Sequence, residues 1–293
     1  MLPNPILVLG PLKVHMYGVM IAIGLLACFI CLFYFCKVKK IDEKFVDFVF
    51  YNGIASVVLG FGAAMLFQAT YNYIDNPAAG FKIGSGMTFI GGLIGGVVCF
   101  LLIYFIFRSR LTGRLYSVLS IVPPCILVAH GFGRIGCFFA GCCHGMPTDS
   151  VLGVDFPGIG RVLPTQLYEA AFLFIMFGVC TYLLLRHNFR HNMSIYLISY
   201  GVFRFLIEFI RGDERGEFVA GISPSQFWAL FMIVGGVALI FLMDYLTKRA
   251  EEEKTVAVSD APEVYVAESH EGCDAESCDK ETDEVLDCDA ECE

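Results

Sequence analysis

The sequence predicts an all-α, polytopic membrane protein with seven transmembrane helices, its amino terminus outside and its carboxyl terminus inside. Three observations predict it. Hydrophobic residues make up 57% of the 293-residue chain and charged residues only 17%, against roughly 25% charged in an ordinary soluble domain. The apolar residues, 28 phenylalanines among them, gather into runs close to the ~20 residues that cross a hydrocarbon core of ~30 Å. Lysine and arginine collect after alternate runs. The net charge of −9 hides an asymmetry: from Glu251 onward seventeen acidic residues stand against two lysines, leaving eighteen basic and twelve acidic residues in the body. The predicted division is therefore a transmembrane domain over 1–249 and a disordered, acidic, cytoplasmic tail over 250–293.

The first span, 17–36, is too long for a signal-peptide core and lacks a small-residue cleavage site. The second covers 46–69. The third, 87–107, carries "GGLIGG" (Gly91–Gly96), small residues of the kind that let membrane helices approach closely. A fourth over 116–133 is interrupted by Pro123 and Pro124, which a bundle tolerates where neighbours satisfy the freed backbone groups. The fifth, sixth and seventh cover 165–185, 193–210 and 223–246.

Orientation follows from the basic residues. Lys37, Lys39, Lys40 and Lys44 follow the first span, and Arg108, Arg110 and Arg114 the third. Arg186 and Arg190 follow the fifth, and Lys248 and Arg249 the seventh. These eleven residues share one face, which is predicted to be cytoplasmic. The loop 134–164 and the turn 211–222 then open to the outside.

Few ionisable groups remain within the spans, and each such group is a functional candidate by default. "YGVFRFLIEFIRGDE" places Arg204, Glu208 and Arg211 at i, i+4 and i+7, on one predicted helical face. An Arg204–Glu208 pair that only fixes helix packing is the plainer alternative, and Arg211 alone suits a snorkelling headgroup contact. Arg134 opens "GRIGCFFAGCCHG", where glycines permit close backbone approach. Guanidinium binds phosphate oxygens bidentately. Together Arg134, Arg204 and Arg211 predict an anion-binding pocket at the outer leaflet, suited to a phospholipid.

Cys137, Cys142 and Cys143 precede His144 with the spacing Cys-x4-Cys-Cys-His. No metal site is expected there, because adjacent cysteines rarely both reach one tetrahedral ion. A disulfide in an oxidising compartment, a reactive thiol beside His144, and small residues filling a tight loop all stay open. Four further cysteines lie in the acidic tail, in "CDAESCD" and "CDAECE".

The segments "HMYG", "GMTFIGGLIGG", "GRIGCFFAGCCHG", "PTQLYE", "YGVFRFLIEFIR" and "ISPSQ" occur in that order. They resemble the signature segments of the prolipoprotein diacylglyceryl transferase family over nearly the whole body. The resemblance implies a seven-helix enzyme of the bacterial plasma membrane, with its active site towards the external side. It implies transfer of the diacylglyceryl group of phosphatidylglycerol to the thiol of a prolipoprotein lipobox cysteine. No metal or soluble cofactor is implied, and the partners are membrane lipid and the lipobox segment, not nucleic acid.

By the same resemblance Arg134, Arg204 and Glu208 are catalytic, and Tyr17, Gly91, Gly92, Gly136, Gln166, Tyr168, Glu169 and Arg211 bind substrate. The chain also departs from the family pattern. Ile90 stands where a histidine precedes the paired glycines; Cys137, Ala140 and Cys142 stand where two asparagines and a glutamate are usual; Leu163 replaces another histidine. The acceptor thiol, with an ordinary pKa near ~8.5, must lose a proton. His130, one helical turn before Arg134, and His144 are the candidates to replace the missing imidazole. Two other functions stay open: a divergent paralogue that modifies another acceptor, and a lipid-binding or redox-sensing membrane protein that uses the cysteines.

Overall fold

The computed structural model describes residues 7–9, 12–84, 86–113, 115–212 and 221–259. Its seven long helices are α1 (Met16–Val38), α2 (Glu43–Asp75), α3 (Phe89–Phe107), α4 (Val122–Ala140), α5 (Thr165–His187), α6 (Asn192–Ile207) and α7 (Pro224–Ser259). All seven are long and apolar enough to cross a membrane. Their outer surfaces carry large apolar side chains: Phe105 is 66% exposed, and Ile106 and Phe241 are each 71% exposed. In water such a surface would be costly; against lipid tails it is the expected face.

Boundaries follow local chemistry. Asp42 caps α2 by accepting from the Phe45 N–H at 3.2 Å, and it also accepts from Thr112 Oγ1 at 2.6 Å. That second bond ties the start of α2 to the loop after α3. The fourth helix lies further along the chain than the 116–133 span. Pro123 and Pro124 fall in its first turn and do not interrupt it, because the N–H groups there have no intrahelical acceptor to lose. The helix ends where Gly141 turns left-handed (φ 74) and donates to Phe138 O at 3.1 Å. Arg134, Gly136 and Cys137 thus belong to α4, not to a loop opening at residue 134.

The end of α6 also differs from expectation. Regular helix stops at Ile207, a 3-10 turn covers Glu208–Ile210, and Arg211 is extended and bridged to Gly145. Arg204, Glu208 and Arg211 therefore do not share one helical face. Helix α7 continues to Ser259, past the boundary at 250; the rest of the expected tail, 260–293, lies outside the described residues.

One buried core reaches from α1 to α5 through Leu32, Phe45, Tyr104, Cys125 and Leu184. α2 lies against α3, and α4 lies between α1 and α5. Glycines set the spacing. A Cβ on Gly24 of α1 would come 2.8 Å from Ala129 O of α4, and one on Gly60 of α2 would come 3.0 Å from Gly92 O of α3. A Cβ on Gly201 of α6 would lie 2.9 Å from Ala229 O of α7. Buried amides add specific links: Asn52 Nδ2 donates to Phe100 O at 3.1 Å, and Asn192 Nδ2 donates to Ser120 O at 3.0 Å and Cys180 O at 3.1 Å. Between α4 and α5 a hairpin of β1 (Val154–Phe156) and β2 (Gly160–Val162) sets Phe156 edge-on against Phe138 in the last turn of α4.

Gly95 of α3 faces Ala63 of α2 so closely that an added Cβ would overlap the alanine methyl. Gly95→Leu is expected to separate α2 from α3 at a cost of ~1–3 kcal/mol. A lowered thermal unfolding midpoint in detergent checks this, and an unchanged midpoint contradicts the seam.

Candidate active site

The site grows from one end of α4. Arg134 and His130 are four residues apart, so both point from the same side of the helix. The sequence opposite them on α5 supplies Glu169, whose side chain is only 2% exposed. Arg134 Nη2 lies 3.0 Å from Glu169 Oε1. The Tyr200 hydroxyl, from α6, donates to that same oxygen at 2.6 Å. His130 Nε2 is 3.9 Å from Glu169 Oε1 and 3.5 Å from the Tyr200 hydroxyl, with the two rings edge-on at 5.0 Å. One carboxylate thus organises three helices.

A second network lies at the α6–α7 junction. Arg204 Nη1 is 2.9 Å from Glu208 Oε2, and Arg204 Nη2 donates to Ser225 Oγ at 2.8 Å. Ser223 Oγ donates to Glu208 Oε1 at 2.9 Å, and Arg211 Nε sits 3.7 Å from Glu208 Oε2. The 3-10 turn is what lets Arg211 reach back from outside the helix. The two networks adjoin: His130 lies within electrostatic reach of both Arg134 and Arg204, and so does Tyr200. A half-buried guanidinium on α4 and a buried one on α6 thus lie within electrostatic reach of the same imidazole and phenol, each held by its own carboxylate.

Beyond α4 the chain folds back across this end. Gly145 N–H donates to Leu163 O at 2.7 Å, Met146 N–H donates to Ile210 O at 2.9 Å, and Gly212 N–H donates to His144 O at 3.3 Å. Gln166 Nε2 donates to Cys142 O at 2.5 Å and Thr165 Oγ1 to Cys143 O at 2.8 Å. Cys143 itself is left-handed (φ 64), a conformation of ~1–3 kcal/mol cost for a residue with a side chain. Its effect is to gather sulfur: the Sγ atoms of Cys137, Cys142 and Cys143 all lie within 4.8 Å of one another. Adjacent cysteines do converge here, contrary to the expectation from spacing. Hydrogen bonds with the Cys137 and Cys142 thiols, and then with Arg211, hold the Cys143 thiol well below the usual cysteine range. None of the three is in a disulfide.

The family model for prolipoprotein diacylglyceryl transferase matches residues 4–242. The chain belongs to this family. Among curated relatives, the phosphatidylglycerol–prolipoprotein diacylglyceryl transferase of Clostridium tetani is 35% identical over 245 residues, covering 81% of this chain and 96% of its own length. A second such enzyme of Clostridium perfringens is 32% identical over 254 residues, covering 82% and 94%. That of Coxiella burnetii is 35% identical over 248 residues, covering 79% and 92%.

Within this transferase-family fold the predicted residues separate by role. Arg134, Arg204, Glu208, Arg211, His130 and Glu169 come together as described. Tyr17 of α1 lies within electrostatic reach of Arg134 and of the three sulfurs, and is 43% exposed. His144 is placed elsewhere: its ring lies edge-on to Phe156 at 5.6 Å and Nδ1 is 3.1 Å from Gly145 O. Several others of the predicted substrate-binding residues are engaged in packing or in the loop. A Cβ on Gly91 would come 2.5 Å from Phe67 Cβ, and one on Gly92 would lie 3.1 Å from Ala64 Cβ, so both serve the α2–α3 seam. Gly136 gives α1 room, since its Cβ would sit 3.2 Å from Met20 Cβ and Tyr17 Cδ2. Gln166 and Tyr168 hold the loop; the Tyr168 hydroxyl donates to Leu152 O at 3.1 Å. Sequence reasoning passed over Tyr200, Ser223 and Ser225. Tyr200 is legible in retrospect, four residues before Arg204 on the same face of α6.

Breaking a buried ion pair by removing one partner leaves a costly charge. Glu169→Gln is expected to destabilise the protein by ~3–5 kcal/mol, and Tyr200→Phe by ~1.5–3 kcal/mol. Unfolding of both variants in detergent tests the order; a Glu169→Gln protein as stable as the parent contradicts the ion pair's role.

Proposed function

We propose that this protein transfers the diacylglyceryl group of phosphatidylglycerol to the lipobox cysteine thiol of prolipoproteins, releasing glycerol phosphate. One observation carries the reading: Arg134 and Arg204, from different helices, both lie within electrostatic reach of His130 and Tyr200 inside an apolar bundle. A guanidinium has five N–H donors in a planar fork, and a carboxylate at one edge leaves donors for a phosphate. As the carbon–oxygen bond of the lipid breaks, charge grows on the departing phosphate. Donors fixed beforehand in a water-poor site stabilise that charge without reorganising. The relatives named above carry the same activity in their names.

The acceptor thiol must also give up its proton. His130 is the imidazole beside the two arginines, anchored edge-on by Tyr200, and we assign it this task in place of the histidine replaced by Ile90. His144, engaged with Phe156 in the loop, is left to structure. The lysines and arginines after alternate helices support placement in a bacterial plasma membrane with those loops inside. The Arg134 pocket then opens externally, where a lipobox segment would arrive.

Arg134→Lys and Arg204→Lys are each expected to lower transfer of labelled phosphatidylglycerol to a lipobox peptide ~100- to 1,000-fold, since lysine lacks the planar fork. His130→Ala should slow transfer, and His144→Ala should leave it near the parent rate. The chain should also restore growth to a strain depleted of its own transferase. Failure of both peptide labelling and complementation by the folded parent protein sinks the reading.

A further inference from the structure

The proposed transfer leaves the three sulfurs at the pocket's edge without a task. Cys137 lies in the last turn of α4, three residues beyond Arg134, and Cys142 and Cys143 follow the left-handed turn at Gly141. Their backbone is pinned: Gln166 and Thr165, each 1% exposed, hold the Cys142 and Cys143 carbonyls. With the left-handed Cys143 this brings three Sγ atoms, none in a disulfide, within 4.8 Å of one another. A tetrahedral zinc–thiolate site with bonds of ~2.3 Å sets its sulfurs ~3.8 Å apart, so only a small contraction would close the cluster around an ion.

We propose that Cys137, Cys142 and Cys143 form a site for a thiophilic divalent ion of the zinc type, with its fourth position open to the acceptor thiol. Thiolates select soft ions over magnesium or calcium, and three protein ligands with an open position is the form zinc takes where it acts on a substrate. Three thiolates and one divalent ion carry a net single negative charge. Arg211, hydrogen-bonded to Cys143, and Arg134, within reach of Cys137, compensate it. Cys142 is exposed and offers the entry path.

The inference rests on the diacylglyceryl-transfer reading of the neighbouring pocket and extends it. A thiol bound to such an ion becomes a thiolate, and its proton passes to the His130 imidazole. The sulfur then forms the bond to the diacylglyceryl carbon as the carbon–oxygen bond breaks, and glycerol phosphate leaves with the electron pair. Nothing is oxidised or reduced. A metal-bound thiol thus complements His130, in a chain where Ile90, Cys137 and Cys142 have displaced the family's usual polar side chains.

The test uses the reduced full chain in detergent, titrated with cobalt(II) as a spectroscopic stand-in for zinc. Expected are thiolate-to-cobalt charge-transfer absorption at stoichiometric ion, its loss in Cys137→Ser, Cys142→Ser and Cys143→Ser, and its retention in Cys99→Ser. A lipobox peptide should perturb the cobalt ligand-field bands of the parent protein, and the same peptide with serine for cysteine should not. This peptide arm needs no variant to fold. Absence of charge transfer in the reduced parent overturns the proposal, as does full transfer by chelator-stripped protein. If the cobalt bands and their peptide response appear but no diacylglyceryl moves from phosphatidylglycerol, the ion site stands and the proposed function fails.

Discussion

A guanidinium group cannot leave water among apolar helices without a counter-charge, and two from different helices are answered here. Glu169 answers Arg134 and Glu208 answers Arg204. Moving an ion out of water costs several kcal/mol even after relaxation, so each carboxylate must sit within contact distance before its helix can take its place. The Arg134–Glu169 pair joins α4 to α5, and Tyr200 draws α6 onto the same oxygen. The Arg204–Glu208 pair, with Ser223 and Ser225, anchors the start of α7. These pairs hold one end of the bundle together.

That constraint explains the division of labour among the small residues. Close helix approach depends on Gly24, Gly60, Gly92 and Gly201, which supply backbone contact where lipid-facing helices have no hydrophobic drive to associate. Gly91 and Gly136, too, sit where another helix comes close. The polar side chains of the α5 start do a similar service for the loop: Thr165 and Gln166 hold the cysteine carbonyls, while Glu169, one turn on, belongs to the ion network. One short segment therefore supports two adjoining chemistries, a pair of arginines and a group of sulfurs.

Two of the departures from the family pattern lie where these chemistries meet. Cys137 and Cys142 take positions where an amide and a carboxylate are usual, and they approach Cys143, which Arg211 reaches. Tyr17 of α1 faces both groups. The arginines of the signature segments are kept, whereas Ile90, Cys137 and Cys142 stand where the family pattern has polar side chains.

Much of this architecture was written in the sequence by itself. Seven apolar runs determined seven helices, because hydrocarbon thickness dictates run length and lipid forbids unpaired backbone. Arginine and glutamate stood out for the same reason, since lipid makes each such residue too costly to keep without purpose. Tertiary structure alone decided the rest. The start of α4 depended on prolines being harmless in a first turn, and the end of α6 depended on Arg211 pairing its backbone with Gly145. The partner of Arg134 comes from another helix, and the three sulfurs meet through a left-handed residue and two buried side chains on α5. Composition and periodicity carry information along one chain segment; which side chains meet across segments depends on how the helices pack, and that is a property of the whole bundle.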